Sequence, residues 1–369
     1  MRVLILNERD PDHPRAGGAE THVHEVFRRI AARGHAVTEL VSAFAGGAER
    51  GELDGVRFER IAPLPTFYPR AAARCARATR RGEFDVVVEC LNKMPFLAPL
   101  YAARPVLGLC HHLFGGTAFR QVAWPVAAAV VAVERAIPLA YRRAPIVAIS
   151  QSTRDDLVAR GIAPEQVEVQ HPGIRRPEAQ PAPIARREPL VVYVGRLEAY
   201  KRIDLVLDAI AQIAARRPAV KLALLGRGAE RPRLERRAAA LGIRERVEFA
   251  GFVSDAERDE WLARSRVCVC ASRKEGFGLT VIEANAVGTP NVASDSPGLR
   301  DTVRHGETGF LVADGDAGRF AERIDALLGD DALAERMSRA ALAWSQRFDW
   351  EIAAGAMEHS LSRAAGSGA

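Results

Sequence analysis

Glu275 and Glu283 stand eight residues apart in a segment, Arg273 to Val312, that reads RKEGFGLTVIEANAVGTPNVASDSPGLRDTVRHGETGFLV. Between them Gly276-Phe277-Gly278-Leu279 leads into Thr280-Val281-Ile282-Glu283-Ala284, a pattern that predicts a loop running into a helix. The first turn of a helix carries amide N–H groups with no partner inside the helix and about half a positive charge. It therefore suits a diphosphate, and glycines just before it let the backbone approach such a ligand closely. Glu283, one turn further in, is placed to bond ribose hydroxyls. The alternative is a pair of solvated carboxylates on an amphipathic helix, which is the better reading of any two isolated glutamates.

Here the pair is not isolated. The whole segment resembles the retaining glycosyltransferases of family 4, whose recurring pattern is a Glu, seven residues and a second Glu, embedded in EGFGL, EA, G.PVVAS and a following G. The resemblance implies that Glu275 lies at the transferred sugar, that the amides of Gly276, Phe277, Gly278 and Leu279 contact sugar hydroxyls and phosphate, and that Glu283 binds the ribose. It extends to Gly195-Arg196-Leu197-Glu198-Ala199-Tyr200-Lys201, similar to a GRL...K segment whose Arg and Lys bind the donor phosphates. With no metal, Arg196 as a planar fork and Lys201 as a point charge would neutralise the departing diphosphate. Near the N-terminus, Gly17-Gly18-Ala19-Glu20 opens a helix after a loop. Adjacent glycines at a helix start are common turn chemistry, but in similar enzymes this loop closes over the diphosphate. That implies Gly17 and Gly18 near the donor and Glu20 toward the acceptor.

His111 ends a predicted strand, Val106 to Cys110, at the place where the family has a His at the donor sugar. Its neighbour His112 competes for the role, and spacing from the strand favours His111. Gly226-Arg227-Gly228 and Phe252-Val253-Ser254 sit where the family contacts the base, so Gly226 and Val253 join the donor-binding set. Such main-chain contacts leave UDP- and GDP-linked donors both open. His171-Pro172-Gly173-Ile174 departs from the family, which usually has Asn-Gly at the domain junction.

These residues must be positioned by parallel α/β sheets. Short apolar runs alternate with helical periods through Val3 to Leu6, Ala36 to Val41, Val86 to Glu89, Val106 to Cys110 and Ile146 to Ile149. After a Pro-rich stretch, Arg175 to Ile184, the alternation begins again with Leu190 to Val194, Val220 to Leu225, Val247 to Ala250, Val267 to Ala271 and Asn291 to Ala293. Two doubly wound domains follow, and such sheets place ligands outside the carboxyl ends of their strands. The resemblance implies the GT-B architecture, two Rossmann-like domains facing across a cleft. The acceptor domain is expected over 1–175 and the nucleotide-sugar domain over 176–345. A last segment, 346–369, carries a helix from Glu351 to Arg363 that crosses back to the first domain in similar enzymes.

A length of 369 residues suits two cores, and 48% hydrophobic with 27% charged residues describes a folded chain. Cys75, Cys90, Cys110, Cys268 and Cys270 show no metal or disulfide spacing and read as buried thiols. MRVLILNERD is too short in its apolar run for a signal peptide, and Trp124 to Ala140 is too interrupted to span a bilayer, so a cytoplasmic protein is expected. The net charge of +6 includes six arginines and no acid between Arg60 and Gly82. That stretch reads either as a solvated basic surface or as a patch for anionic lipid at the inner membrane face. It lacks the interleaved aromatics of a nucleic-acid groove. Asp10-Pro11-Asp12 and Asp314-Gly315-Asp316 have the spacing of metal-ligating pairs in the other major glycosyltransferase architecture, but both lie in turn-forming sequence, and no metal or other cofactor is expected. The expected activity is a metal-independent, retaining transfer of a hexose-type sugar from a UDP- or GDP-sugar to a hydroxyl of a glycan or lipid-linked acceptor, as in glycolipid or cell-envelope polysaccharide synthesis. The resemblance favours displacement on one face of the sugar over a covalent intermediate. The competing readings are a sugar-nucleotide 2-epimerase or hydrolase on the same scaffold and a noncatalytic sugar-nucleotide binding protein.

Overall fold

A computed structural model describes residues 1–92, 94–120, 123–178 and 181–366. The chain forms two compact units, one built from Met1–Gly173 with Asp349–Ala369, the other from Ile174–Phe348.

Unit 1 opens with β1 (Arg2–Leu6), α1 (Gly18–Ala32), β2 (Ala36–Ser42), β3 (Arg50–Leu53), β4 (Val56–Ala62) and α2 (Leu64–Arg80). It continues through β5 (Val86–Leu91), β6 (Val106–Cys110), α3 (Trp124–Glu134), α4 (Ile137–Ala140), β7 (Ile146–Ala148), α5 (Gln151–Ala159) and β8 (Val167–Val169). The strands form one sheet in the order β3-β4-β2-β1-β5-β6-β7-β8. Every pair is parallel except β3 with β4, a hairpin turned by Asp54 and Gly55. Both turn residues have positive φ, 50° and 83°, as the tightest hairpin turns require. The Asp-Gly signal for this hairpin is present in the sequence, yet neither strand is among the expected ones, because β3 is short and exposed.

The last helix, α13 (Trp350–Gly366), belongs to unit 1. Arg29 Nε donates to Glu351 Oε1 (2.9 Å), Arg33 Nη1 to Glu358 Oε2 (2.7 Å), and Gln170 Nε2 to Ser360 Oγ (2.8 Å). The fit is close at Gly173, where an added Cβ would lie 2.3 Å from the backbone nitrogen of Trp350.

Unit 2 runs β9 (Glu188–Val194), α6 (Ile203–Ala214), β10 (Lys221–Leu225), α7 (Arg231–Ala240), β11 (Val247–Gly251), α8 (Asp255–Arg264) and β12 (Ser265–Cys270). It ends with α9 (Leu279–Ala286), β13 (Asn291–Ser294), α10 (Leu299–Thr302), β14 (Gly309–Val312), α11 (Ala317–Gly329) and α12 (Asp331–Ser345). The all-parallel order β11-β10-β9-β12-β13-β14 grows outward from β9 on one side and resumes at β12 on the other. Val191, Tyr193, Leu222 and Leu224 pack on one face with Ile210, Phe320 and Ile324, while Val192, Ala223, Leu225 and Cys268 pack on the other with Leu262 and Ala284. Helices on both faces explain the continuous apolar runs within these strands, such as Leu190 to Val194 and Leu222 to Leu225.

All five cysteines are buried and none is bridged. Residues 179 and 180 of the Pro-rich stretch lie outside the described residues, and its start is held to unit 2, where Arg176 Nη2 donates to the Gln346 carbonyl (2.9 Å). No helix among the described residues is long and apolar enough to cross a membrane. The expectation of one continuous basic patch from Arg60 to Gly82 needs correcting. Arg60 is buried between Asp10 and Asp12 (2.7 and 3.0 Å), and Arg74 bridges Glu59 and Glu83 (3.1 and 2.9 Å). Their partners come from other elements, so a count within the stretch misses them. Asp314 of the second Asp-x-Asp pair likewise faces Arg202 and Arg273, each at 3.4 Å.

Replacing Gly173 by Ala forces the backbone of α13 away and is expected to cost about 1–3 kcal/mol. Denaturant unfolding of the variant checks this, and an unchanged midpoint would show that α13 has slack there.

Candidate functional site

In unit 2 the sequence of strands reverses between β9 and β12, the place where open parallel sheets hold their ligands. The loops leaving these two strands carry Arg196 to Lys201 and Ser272 to Gly278. Lys201 Nζ pairs with Glu275 Oε1 directly over that point, with only 14% and 17% of the two side chains exposed. Burial pushes the Lys201 ammonium down, and the Glu275 carboxylate more than offsets this, so Lys201 stays charged. Arg196 is exposed and donates through Nη2 to the Tyr200 hydroxyl (3.0 Å).

Gly276, Phe277 and Gly278 lead into α9, whose N-cap is Gly278 in the left-handed region (φ 93°). No side chain caps this helix start, so the orphan first-turn amides of Leu279 and its neighbours are not met by one. Glu283 lies inside α9 and pairs with Arg258 of α8 (3.4 Å). Burial raises the Glu283 pKa and Arg258 opposes it. Arg258 also contacts Asp255 and Asp259 (2.8 and 3.1 Å), so α8 sets the position of this carboxylate. Arg258 escapes a sequence reading because its link to Glu283 is made only by packing.

The remaining loops close the rim by backbone contact. A Cβ at Gly226 would lie 2.0 Å from the Gly195 carbonyl oxygen, and one at Gly298 2.4 Å from that of Glu275. The Glu275 amide donates to the Pro297 carbonyl (3.1 Å), so the Ser296-Pro297-Gly298 turn, missed in the sequence, braces Glu275. Val253 follows Phe252, which is 73% exposed with the Arg227 guanidinium 5.8 Å from its ring centre.

Unit 1 gathers its own polar groups at the carboxyl ends of its strands. Gly17 caps α1 with extended backbone, and its amide donates to Glu20 Oε2 (2.8 Å). Glu20 is thereby turned back on its own helix start, and the Gly17 amide points at a carboxylate. His111 is buried, and its Nε2 lies 3.0 Å from Nδ1 of His22, with one ring donating. Burial lowers the His22 pKa to about 4, so it is neutral at ordinary pH, and its ring stacks on Trp350 (5.8 Å between centres). His22 went unnoticed in the sequence, although it lies on the apolar face of α1 beside Val23 and Val26. His112 is half-buried against the Phe114 ring (5.0 Å). His171, at the departure from the family pattern, meets the Ile149 carbonyl through Nδ1 (3.1 Å). At the end of β1, Asn7 Nδ2 donates to Glu39 Oε1 (3.0 Å) and to the Arg9 carbonyl (2.8 Å), while Asn7 Oδ1 accepts from the Glu8 amide (2.9 Å).

The residues 175–344 match the model of the glycosyl transferases group 1, and residues 16–176 match that of glycosyltransferase family 4. A D-inositol 3-phosphate glycosyltransferase of Streptomyces avermitilis is 32% identical over 92% of this chain and 82% of its own. A phosphatidyl-myo-inositol mannosyltransferase of Mycobacterium leprae is 29% identical over 96% and 94%. Among solved structures, sucrose-phosphate synthase from Thermosynechococcus elongatus superposes with a TM-score of 0.80 at 25% identity over 97% of each chain. HepE of Anabaena, solved with UDP and glucose, does so at 0.78 and 24% identity over 98% and 100%. The protein is a glycosyltransferase of the GT-B fold. It belongs to family 4, and carries the group 1 domain in its second half.

Burial pushes the Glu39 carboxyl up to about 8, against the opposing Asn7 hydrogen bond. The folded state thus holds a proton that the unfolded chain releases near pH 4.5, and stability falls as pH rises from there to about 8, by roughly 1.4 kcal/mol per pH unit at most. Glu39→Gln should flatten this part of the stability profile. An identical slope in the variant and the parent would place the proton elsewhere.

Proposed function

We propose that the protein transfers a hexose-type sugar from a UDP- or GDP-linked donor to an acceptor hydroxyl, keeps the anomeric configuration and needs no metal. The observation that carries this reading is the Lys201–Glu275 pair over the switch point of unit 2, beside the uncapped first turn of α9. The α9 turn suits the diphosphate, and Lys201 and Arg196 supply the positive charge that a leaving diphosphate calls for. Lys201 has three N–H donors, so it serves a phosphate oxygen while keeping Glu275. Glu275 holds sugar hydroxyls and faces the positive charge that grows on the ring. Glu283, set by Arg258, takes the ribose, and Gly226 and Val253 border the base.

In the proposed step the bond from the anomeric carbon to the diphosphate oxygen breaks with its electron pair leaving on the diphosphate. The acceptor oxygen bonds to the same face of that carbon, and its proton passes to a diphosphate oxygen. Family resemblance assigns His111 to the donor sugar and Gly17-Gly18 to the diphosphate. The bond to His22 would then fix the His111 ring. The names of the curated relatives support an acceptor that is a polyol hydroxyl bearing phosphate, free or carried on lipid, and hence a role in glycolipid or cell-envelope glycan synthesis.

UDP and GDP should differ in a thermal-shift measurement. The base that fits adds about 2.7 kcal/mol of stability at a hundred times its dissociation constant. Glu283→Ala is expected to lower that affinity roughly tenfold to a hundredfold. Glu275→Gln should still bind the nucleotide while transfer falls by about a hundredfold or more. Absence of any shift with either nucleotide in folded protein defeats the proposal.

A further inference from the structure

Between Cys90 and Arg154 the sequence has one acid, Glu134, against Lys93, Arg104, Arg120, Arg135, Arg142, Arg143 and Arg154. Glu134 gives the surface no negative charge. It is 1% exposed, accepts from the amides of Phe114 and Gly115 (2.6 and 2.8 Å) and pairs with Arg160 (3.1 Å). Arg104, Arg135, Arg142 and Arg143 are exposed, and no acid pairs with them among the described residues. This contrasts with Arg60 and Arg74, which the fold neutralises.

The same segment contains α3, WPVAAAVVAVE, which is apolar on every side before Glu134. A helix of that kind is ordinarily buried all round. Here only Ala127 and Glu134 are buried, while Trp124 is 72% and Val126 53% exposed. Beyond it, Leu139 (75% exposed) and Leu100 (65%) line a groove of unit 1 with Arg104, Arg142 and Arg143. Two acids also line that groove, Glu165 and Glu168, the second held by Arg363 (3.5 Å).

We propose that this acid-poor segment docks the protein on an anionic lipid bilayer, with Trp124 and Val126 entering the interface and Arg135, Arg142 and Arg143 meeting the headgroups. At 1.5 Å per residue the 11 residues of α3 reach about 16 Å, half a hydrocarbon core, so the helix lies in the interface and does not span it. Tryptophan is the side chain most at home at that depth, and each arginine near an anionic surface adds attraction. A second copy of this chain is the weaker occupant. A two-fold contact sets a patch against itself, which would bring an arginine-rich surface onto its own counterpart with only Glu165 and Glu168, the second already held by Arg363, to offset the repulsion. The surface is independent of donor chemistry, so it stands or falls apart from the proposed reaction.

The test is co-sedimentation of the whole protein with vesicles of phosphatidylcholine alone or with 30% phosphatidylglycerol, at about 20 mM and 500 mM salt, with Trp emission read in parallel. Binding is expected only with phosphatidylglycerol and low salt, with a blue shift that Trp124→Phe removes. Arg142→Gln with Arg143→Gln should lower the partition coefficient roughly 30-fold. Arg77→Gln with Arg80→Gln on α2 should leave it nearly unchanged. Four results would overturn the proposal: no sedimentation, equal sedimentation with both vesicles, loss of binding only in the α2 variant, or dimerisation in solution abolished by Trp124→Ser. Unchanged melting temperatures of these exposed-site variants guard against misfolding as the cause.

Discussion

The parallel pairing of β9 with β12 is the interaction on which unit 2 depends for its chemistry. These strands are far apart in the chain, yet Val191 lies against Val267 and Val192 against Cys268. Their loops therefore leave the sheet side by side, and Lys201 meets Glu275. A parallel pair cannot be closed by a tight turn, so helices cover both faces, and the centres of the strands become apolar on both sides. Cys268 and Cys270 belong to that requirement, as buried thiols in a buried strand.

Close backbone approach is the second constraint. Gly226, Gly228 and Gly298 sit where a side chain would strike the carbonyl of a neighbouring loop. The rim of the switch point is thus built largely from main chain, and the charged side chains on it are Arg196, Lys201, Glu275 and Glu283, with Arg258 behind. Charges held this way are costly to bury alone, which is why each buried one has a partner. The pairing of Lys201 with Glu275 keeps both in place before any ligand arrives.

Unit 1 solves the corresponding problem with neutral groups. Around the end of β1 lie Asn7, Glu39 and Asn92, and deeper in the unit His22 and His111 share a hydrogen bond. Burial favours the uncharged forms of Glu39 and His22. The charged residues nearby are matched in pairs, Arg60 with Asp10 and Asp12, so the two aspartates are occupied by a guanidinium. The segment with α3 stands outside this pattern of pairing, since Arg104, Arg135, Arg142 and Arg143 face solvent with no acid paired to them among the described residues, and its helix is apolar without being covered.

How much of this was legible in the sequence follows from the range of each signal. The period-two and helical patterns, the GFG loop before Glu283, the GRL...K segment and the breaks at Pro and Gly are local, so ten of the fourteen strands, the family and the two-unit organisation were determined by the sequence itself. Strands β3, β4, β8 and β14 were missed because strands that are short or half-exposed carry little periodicity, although Asp54-Gly55 marked the hairpin. Only the tertiary structure decided which charges are free. Arg60 and Arg74 belong to a basic run in one dimension and to ion pairs in three, while Arg258 and His22 acquire their partners, Glu283 and His111, through packing between elements distant in the chain. Local chemistry is written along the backbone, whereas the neutralisation and desolvation of a charge depend on neighbours that the sequence alone does not bring together.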